Sequence, residues 1–236
     1  MHSTQSLIRI FLVAGLAAMA GVVTQAQTSI AASLYGAFNE STSTGVNNAV
    51  QSPSNAAGVT FELRHIHNPL IGYEAAYSYN RANQTYSSSS YAVCGVCSAG
   101  QSWTPVSANA HEVTGAWVAS LKAGALRPFA LAGGGVLFDV PSSGQATTTT
   151  LVTECGGGNP ECIPGTVTSN TVPTSTSTKG VFVYGAGLDW GLLPHIGLRL
   201  QYRGNVYKAA ALSSAFTSIN AFTQTAEPVI GIYFRL

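Results

Sequence analysis

The sequence predicts an all-β fold, an eight-stranded, antiparallel, up-and-down transmembrane β-barrel. Three observations predict it. The first is composition: of 236 residues, 46% are hydrophobic and only 8% charged, whereas a soluble domain carries about 25% charged residues. No stretch beyond the N-terminal segment offers the roughly 18 consecutive apolar residues of a spanning helix. A closed barrel is the other way to satisfy every backbone group in hydrocarbon. The second observation is a period-two alternation that holds charge to one parity of each clear strand, apart from Arg81 at the end of 71–81. The third is a strict alternation of short and long connections.

Residues 1–26 read as a secretory signal peptide. Arg9 ends a weakly basic start, Ile10 to Val23 form an Ala-rich apolar run, and Thr24-Gln25-Ala26 puts small residues where a signal peptidase reads. An uncleaved membrane anchor is the alternative, but the run is short for a span. Cleavage after Ala26 would leave a single barrel domain, 27–236. It would also remove Arg9 and leave Lys/Arg and Asp/Glu balanced at nine each. No basic patch argues for a nucleic-acid partner.

The expected strands are 31–40, 58–67, 71–81, 110–122, 127–139, 179–190, 195–207 and 226–236. Their lengths suit tilted crossings of about 9–11 residues. Val59, Phe61 and Leu63 alternate with Thr60, Glu62 and Arg64. Ile71, Tyr73, Ala75, Tyr77 and Tyr79 alternate with Gly72, Glu74, Ala76, Ser78 and Asn80, and the pattern returns in 110–122, 195–207 and 226–236. A charge facing lipid at the midplane costs about 2–4 kcal/mol, so the charged parity is assigned to the lumen. Strands 31–40 and 127–139 stay open, because Leu34 and Phe38 share a parity with Glu40, and Phe129 and Leu131 share one with Arg127 and Asp139.

A soluble sandwich would alternate too; the connections separate the two readings. Those near Asn68-Pro69, Gly124-Ala125-Leu126 and Leu192-Leu193-Pro194 are short, and 41–57, 82–109, 140–178 and 208–225 are long. Barrels of the outer membrane have short periplasmic turns and longer outer loops. The long connections are therefore expected outside and both termini in the periplasm.

The residues assigned to the lumen are Glu62, Glu74, Glu112, Asp189 and Glu227 with Arg64, Lys122, Arg199, Arg203 and Arg235. An ion path is one reading. A paired network filling a narrow interior is favoured, because eight strands leave room for little more than side chains and an unpaired buried ion is costly. Parity also sets the first turn: residues opposed across an antiparallel pair face one side, so their numbers sum to an even value. A three-residue turn, 68–70, puts Arg64 opposite Glu74. The other three-residue turn would set Glu62 against Glu74, like against like.

Cys94 and Cys97 lie in one long connection, and Cys155 and Cys162 in the next. Four cysteines in an exported chain favour disulfides over redox or zinc chemistry. The two local pairs are preferred over metal binding or cross-loop bonding, with three pairings open. His65, His67, His111 and His195 are scattered, without a Ser/His/acid constellation or a His-x-x-x-His pair. No catalytic, cofactor or metal site is assigned, although a barrel enzyme acting on lipid or peptide remains an alternative. Tyr35, Tyr73, Tyr77, Tyr79, Trp117, Trp190, Tyr202 and Phe234 read as aromatics at the membrane interfaces. Thr147–Thr150 and Thr174–Thr178 are low-complexity tracts, read as mobile hydrophilic surface.

Several stretches together resemble the small OmpA-like outer-membrane barrels. They are Arg127-Pro128-Phe129-Ala130-Leu131-Ala132-Gly133-Gly134-Gly135, Gly185-Ala186-Gly187-Leu188-Asp189-Trp190, Gly197 to Arg203, and the closing run Pro228 to Leu236. The last is similar to the terminal strand by which such barrels are recognised for insertion, although it ends on Leu236 where the family usually has an aromatic residue. The resemblance implies outer-membrane lipid and the barrel-assembly machinery as partners and a monomeric state; a periplasmic peptidoglycan-binding domain is not expected, so that role of some relatives is not implied. It implies an envelope-structural role with hydrophilic loops outside, open to adhesion or ligand recognition, and names no loop ligand. A narrow channel for small solutes is the alternative.

Overall fold

A computed structural model describes residues 27–43, 49–67, 70–92, 97–155, 167–212 and 221–236. The expected signal segment 1–26, Asn68-Pro69, Cys94 and Cys162 fall outside them. The strands are β1 (Gln27–Asn39), β2 (Thr42–Ser43), β3 (Val50–Pro53), β4 (Ala56–Ile66), β5 (Ile71–Ala92) and β6 (Cys97–Ser120). They continue as β7 (Leu126–Pro141), β8 (Gln145–Cys155), β9 (Val167–Pro173), β10 (Ser177–Gly191), β11 (Ile196–Lys208) and β12 (Phe222–Arg235).

Eight of these close on themselves. The antiparallel ring runs β5-β4-β1-β12-β11-β10-β7-β6, and pairing of β6 with β5 completes it. No edge is left in the wall, which is what a sheet in hydrocarbon requires. Every wall strand contains the core of an expected one, because both rest on the same alternation. In β4, Thr60, Glu62 and Arg64 are buried while Phe61 is 54% exposed. Leu34, Trp117, Phe182, Trp190, Leu200, Ile230, Ile232 and Phe234 are likewise exposed on the outer face. A soluble barrel would turn these side chains inward. This one turns its ions inward and its aliphatic and aromatic groups outward.

The two open strands are resolved. In β1, Ala31, Ser33, Tyr35 and Ala37 are buried, Leu34 and Phe38 face out, and Glu40 lies beyond the strand. In β7, Phe129, Leu131, Leu137 and Asp139 face the lumen. Gly133 and Gly135 share that parity where β7 passes close to β6. A Cβ on Gly133 would lie 2.1 Å from the Gly115 carbonyl oxygen, and one on Gly135 would lie 2.0 Å from that of Val113.

At one end sit the short turns. The His67 amide donates to the Ile71 carbonyl at 3.1 Å, so β4 and β5 pair with Arg64 opposite Glu74. That is the register parity and charge demand. Gly124, with φ of 63°, supplies the left-handed residue of the second turn, where Ala123 and Leu126 exchange hydrogen bonds.

At the other end the structure corrects the expectation of mobile surface. Strands β5 and β6 continue past the barrel as one hairpin, from Ile71↔Ala119 to Ala92↔Ser98. Above the wall, β5 exchanges β4 for β3, and β6 exchanges β7 for β8. A second sheet, β2-β3-β5-β6-β8-β9, therefore grows out of the first. Its Thr tract is strand: Thr147 to Thr150 in β8 pair with Thr171 to Thr168 in β9. Threonine is β-branched and packs well on a pleated surface once a partner strand is present.

Candidate functional site

The lumen holds the ionisable groups, in three tiers. Nearest the short turns, Arg64 and Arg199 are clasped by three acids. The Arg64 guanidinium donates to Glu74 at 2.8 and 2.5 Å and to Asp189 at 3.1 Å. Arg199 makes a two-pronged contact with Asp189, at 2.7 and 3.0 Å, and reaches Glu62 at 2.6 Å. Alternate residues of β4, β5, β10 and β11 supply these groups, and the Arg64↔Glu74 and Asp189↔Arg199 pairs are each direct cross-strand partners. Arg64 and Arg199 are no more than 2% exposed. Beside them Ile66, Val118, Phe129, Leu131 and Val183 form an apolar cluster inside the lumen.

The middle tier centres on Arg203, which donates to Glu112 and, at 3.0 Å, to Thr114. The Asn205 amide donates to both Glu112 and Glu227 at 3.0 Å. Nearer the long connections, Lys179 pairs with Asp139 at 3.3 Å. Charges removed from water are tolerable when ion pairing and hydrogen bonds replace hydration.

Eight of the ten residues assigned to the lumen thus meet in two clusters. Lys122 does not: it is exposed, in the turn past the end of β6, where alternation has stopped. Arg235 is half-buried at the short-turn end and donates to the Tyr233 hydroxyl at 2.7 Å rather than entering the network. Asp139 and Lys179 are functional-site residues the sequence reading missed. Both follow the lumen parity of their strands, shared by Phe129 in β7 and Asp189 in β10, but apolar lumen neighbours hid that parity. Tyr35 is another correction. It is 6% exposed, inside the lumen, where its hydroxyl accepts from Asn80 at 2.9 Å. The other seven interface aromatics face outward or lie half-exposed.

Above the middle tier lies a small cavity of about 30 Å³, lined among others by Asn39, Gln84, Glu112, Asp139, Tyr207 and Glu227. Residues following β11 pack against the second sheet. Leu212 is wholly buried against a cluster of Tyr86, Val106, Ala108, Ala146 and Ala210. The Tyr86 hydroxyl donates to the Ala210 carbonyl at 2.6 Å, and the Ser175 amide to that of Leu212 at 2.7 Å. Burial pushes the Tyr86 phenol above its ordinary range.

The histidines are dispersed. His65 bonds Thr28 at 3.0 Å, His111 bonds the Tyr77 hydroxyl at 2.9 Å, and His195 lies 3.3 Å from the Arg235 carbonyl. Among the described residues, no group of three or more His, Cys, Asp or Glu is placed to hold a metal ion. The backbones of Cys97 and Cys155 lie opposite one another in the β6–β8 ladder.

The ring of eight strands, with aliphatic and aromatic groups outside and ions inside, decides the architecture. It is that of a small, eight-stranded outer-membrane barrel. No family model matches the chain, and no curated protein matches it. Solved structures do overlap with it. The attachment invasion locus protein Ail of Yersinia pestis is 13% identical, over 90% of this chain and all of that one, with a TM-score of 0.40. OprG of Pseudomonas aeruginosa is 10% identical, over 89% and 95%, with a TM-score of 0.44. Neisserial surface protein A is 12% identical, over 90% and 100%, with a TM-score of 0.40. The architecture rests on the strand pairing above, not on these overlaps.

Proposed function

We propose that the chain is an integral outer-membrane protein whose barrel is a sealed anchor for the β-structured platform built on its long connections. In this reading the platform faces the cell exterior, both chain ends face the periplasm, and the role is envelope structure and surface contact. The single observation that carries it is the state of the lumen. Two arginines and three carboxylates clasp one another across its lower part, and Arg203, Glu112, Glu227 and Asn205 bridge it again above. Every one of these groups is at most 5% exposed. An ion entering would have to disrupt these pairs, and a buried charge left without its partner costs about 3–5 kcal/mol.

The acidic cavity above the middle tier favours a second reading, a narrow channel for small cations. One measurement separates the two. The mature protein is to be taken from washed outer membranes, shown folded by its mobility shift on boiling, and placed in a planar bilayer. A sealed anchor gives a flat current trace. Recurrent, cation-selective steps would overturn the proposal, as would recovery of the protein in the soluble periplasm.

A further inference from the structure

Two of the four cysteines begin and end strands that pair with each other. Cys97 is the first residue of β6, and Cys155 is the last of β8. The two strands run antiparallel in unbroken register from Trp103↔Thr149 to Cys97↔Cys155. Directly opposed residues of an antiparallel pair have their Cα atoms about 4.5 or 5.5 Å apart and lie on the same face of the sheet. Both separations fall within the roughly 4.4–6.8 Å that a disulfide spans.

Side chains outside the ladder hold that register. The hydroxyls of Thr104 and Thr148, the next opposed pair, hydrogen-bond at 2.8 Å. On the other side of β6, Ser88 and Ser102 do the same at 2.7 Å, locking β6 against β5. A slip of β8 by one residue against β6 would put the two cysteines on opposite faces and break the Thr104–Thr148 contact.

We propose that Cys97 and Cys155 form a disulfide that joins the β5–β6 hairpin to the β8–β9 pair. This is a cross-loop bond, in place of the local pairs Cys94–Cys97 and Cys155–Cys162 that sequence spacing favours. It forms by thiol–disulfide exchange with a disulfide-carrying oxidant protein of the export route. The thiolate of one cysteine attacks the donor disulfide and gives a mixed disulfide. The thiolate of the other then displaces the donor, which leaves as a dithiol carrying both electrons and both protons. The bond has a clear structural consequence. Strand β9 pairs only with β8 among the described residues, and β8 meets the hairpin only along its outer part. A covalent tie at the far end of that short ladder keeps the β8–β9 pair from fraying.

The test uses full-length mature protein, with thiols blocked during extraction and digestion by trypsin without reductant. Arg81, Lys122 and Lys179 set the cuts, because trypsin does not cleave between Arg127 and Pro128. Cys94 and Cys97 fall in the peptide 82–122, and Cys155 and Cys162 in 123–179. The proposal expects these two peptides as one cross-linked species that separates on reduction, with fragmentation placing one bond at Cys97 and Cys155. A variant carrying Cys94→Ser and Cys162→Ser should still be free of reactive thiols and still cross-linked. Two unlinked peptides, each lighter by two hydrogens, would establish the local pairs and overturn the proposal. Free thiols in the wild type, fragments joining Cys97 to Cys162, or a folded double variant with two free thiols would overturn it as well.

Discussion

The Arg64 guanidinium lies over the face of the Phe129 ring, 3.9 Å from its centroid. Arg64 is therefore held on its edges by Glu74 and Asp189 and on its flat side by an aromatic ring. Arg199 approaches the same ring at 5.6 Å, so one phenyl group serves as the floor for both arginines. The flat faces of a guanidinium are weakly hydrated, and a ring satisfies them without competing for its donors.

Replacing Phe129 should therefore act through Arg64. A desolvated cation–π contact contributes about 2 kcal/mol, so Phe129→Leu, which keeps the site apolar, should destabilise the folded barrel by about that amount. In an Arg64→Met background the same substitution should cost far less, because the cation is gone. Urea unfolding of the four proteins, followed by loss of the heat-modifiable form, measures the cycle. Additive losses would show that ring and cation are energetically independent.

Two glycines on facing strands should behave oppositely. A methyl group on Gly135 would meet the Val113 carbonyl oxygen at 2.0 Å and the Thr114 Cα at 2.7 Å, both backbone atoms that cannot swing aside. Gly135→Ala should cost about 1–3 kcal/mol or force the wall apart. Gly115 has nothing within 4 Å of its would-be Cβ. Gly115→Ala should be neutral, or stabilise by about 0.4–1 kcal/mol through the unfolded chain. The same unfolding assay checks both, and equal losses would sink the close-approach argument.

Leu212 should govern the packing of the segment after β11 on the second sheet and leave the barrel alone. It is wholly buried, so Leu212→Ala removes contacts worth about 2–5 kcal/mol. About 1.4 kcal/mol is a tenfold change in an equilibrium, so this segment should detach at least ten times more often. Limited trypsin cleavage at the exposed Lys208 should accelerate by that factor, while the mobility shift on boiling stays unchanged. Leu212→Met, of similar volume, should cleave like the wild type. Unchanged cleavage in the alanine variant would show that Leu212 does not hold this segment.

The barrel was legible in the sequence because lipid outside and ions inside both mark parity. Arg64 opposite Glu74 followed from parity and charge together, since the other turn allowed by parity opposed two glutamates. What escaped the reading had weaker marks. Both faces of β7 are largely apolar and its two charges, Arg127 and Asp139, lie at its ends, so the inward turn of Phe129 beneath Arg64 was left open. Asp139 and Lys179 were hidden by the same mixture of lumen residues. Lys122 kept the right parity but lay past the last paired residue, where parity stops having meaning. The outer sheet was lost to composition: Ser and Thr tracts read as solvated surface until partner strands are known. Their β-branching was the available signal, and it counts only when a neighbour offers a ladder.

The continuity of β5 and β6 restricts how the outer surface of this protein can drift. A connection that is merely a loop accepts insertions of any length. Here, one residue added between Gln84 and Ser89 would reverse the faces of every residue from there to the hairpin tip. Its partners in β3 and β6 would meet the wrong side chains at once. Length changes in this segment should therefore accumulate in twos, or in matched steps on both arms of the hairpin. Odd, unmatched changes belong in the spans between strands, such as Ser142 to Gly144 between β7 and β8, where Gly144 has open space around it. The same spans are where an inserted epitope tag would leave the rest of the surface as it stands.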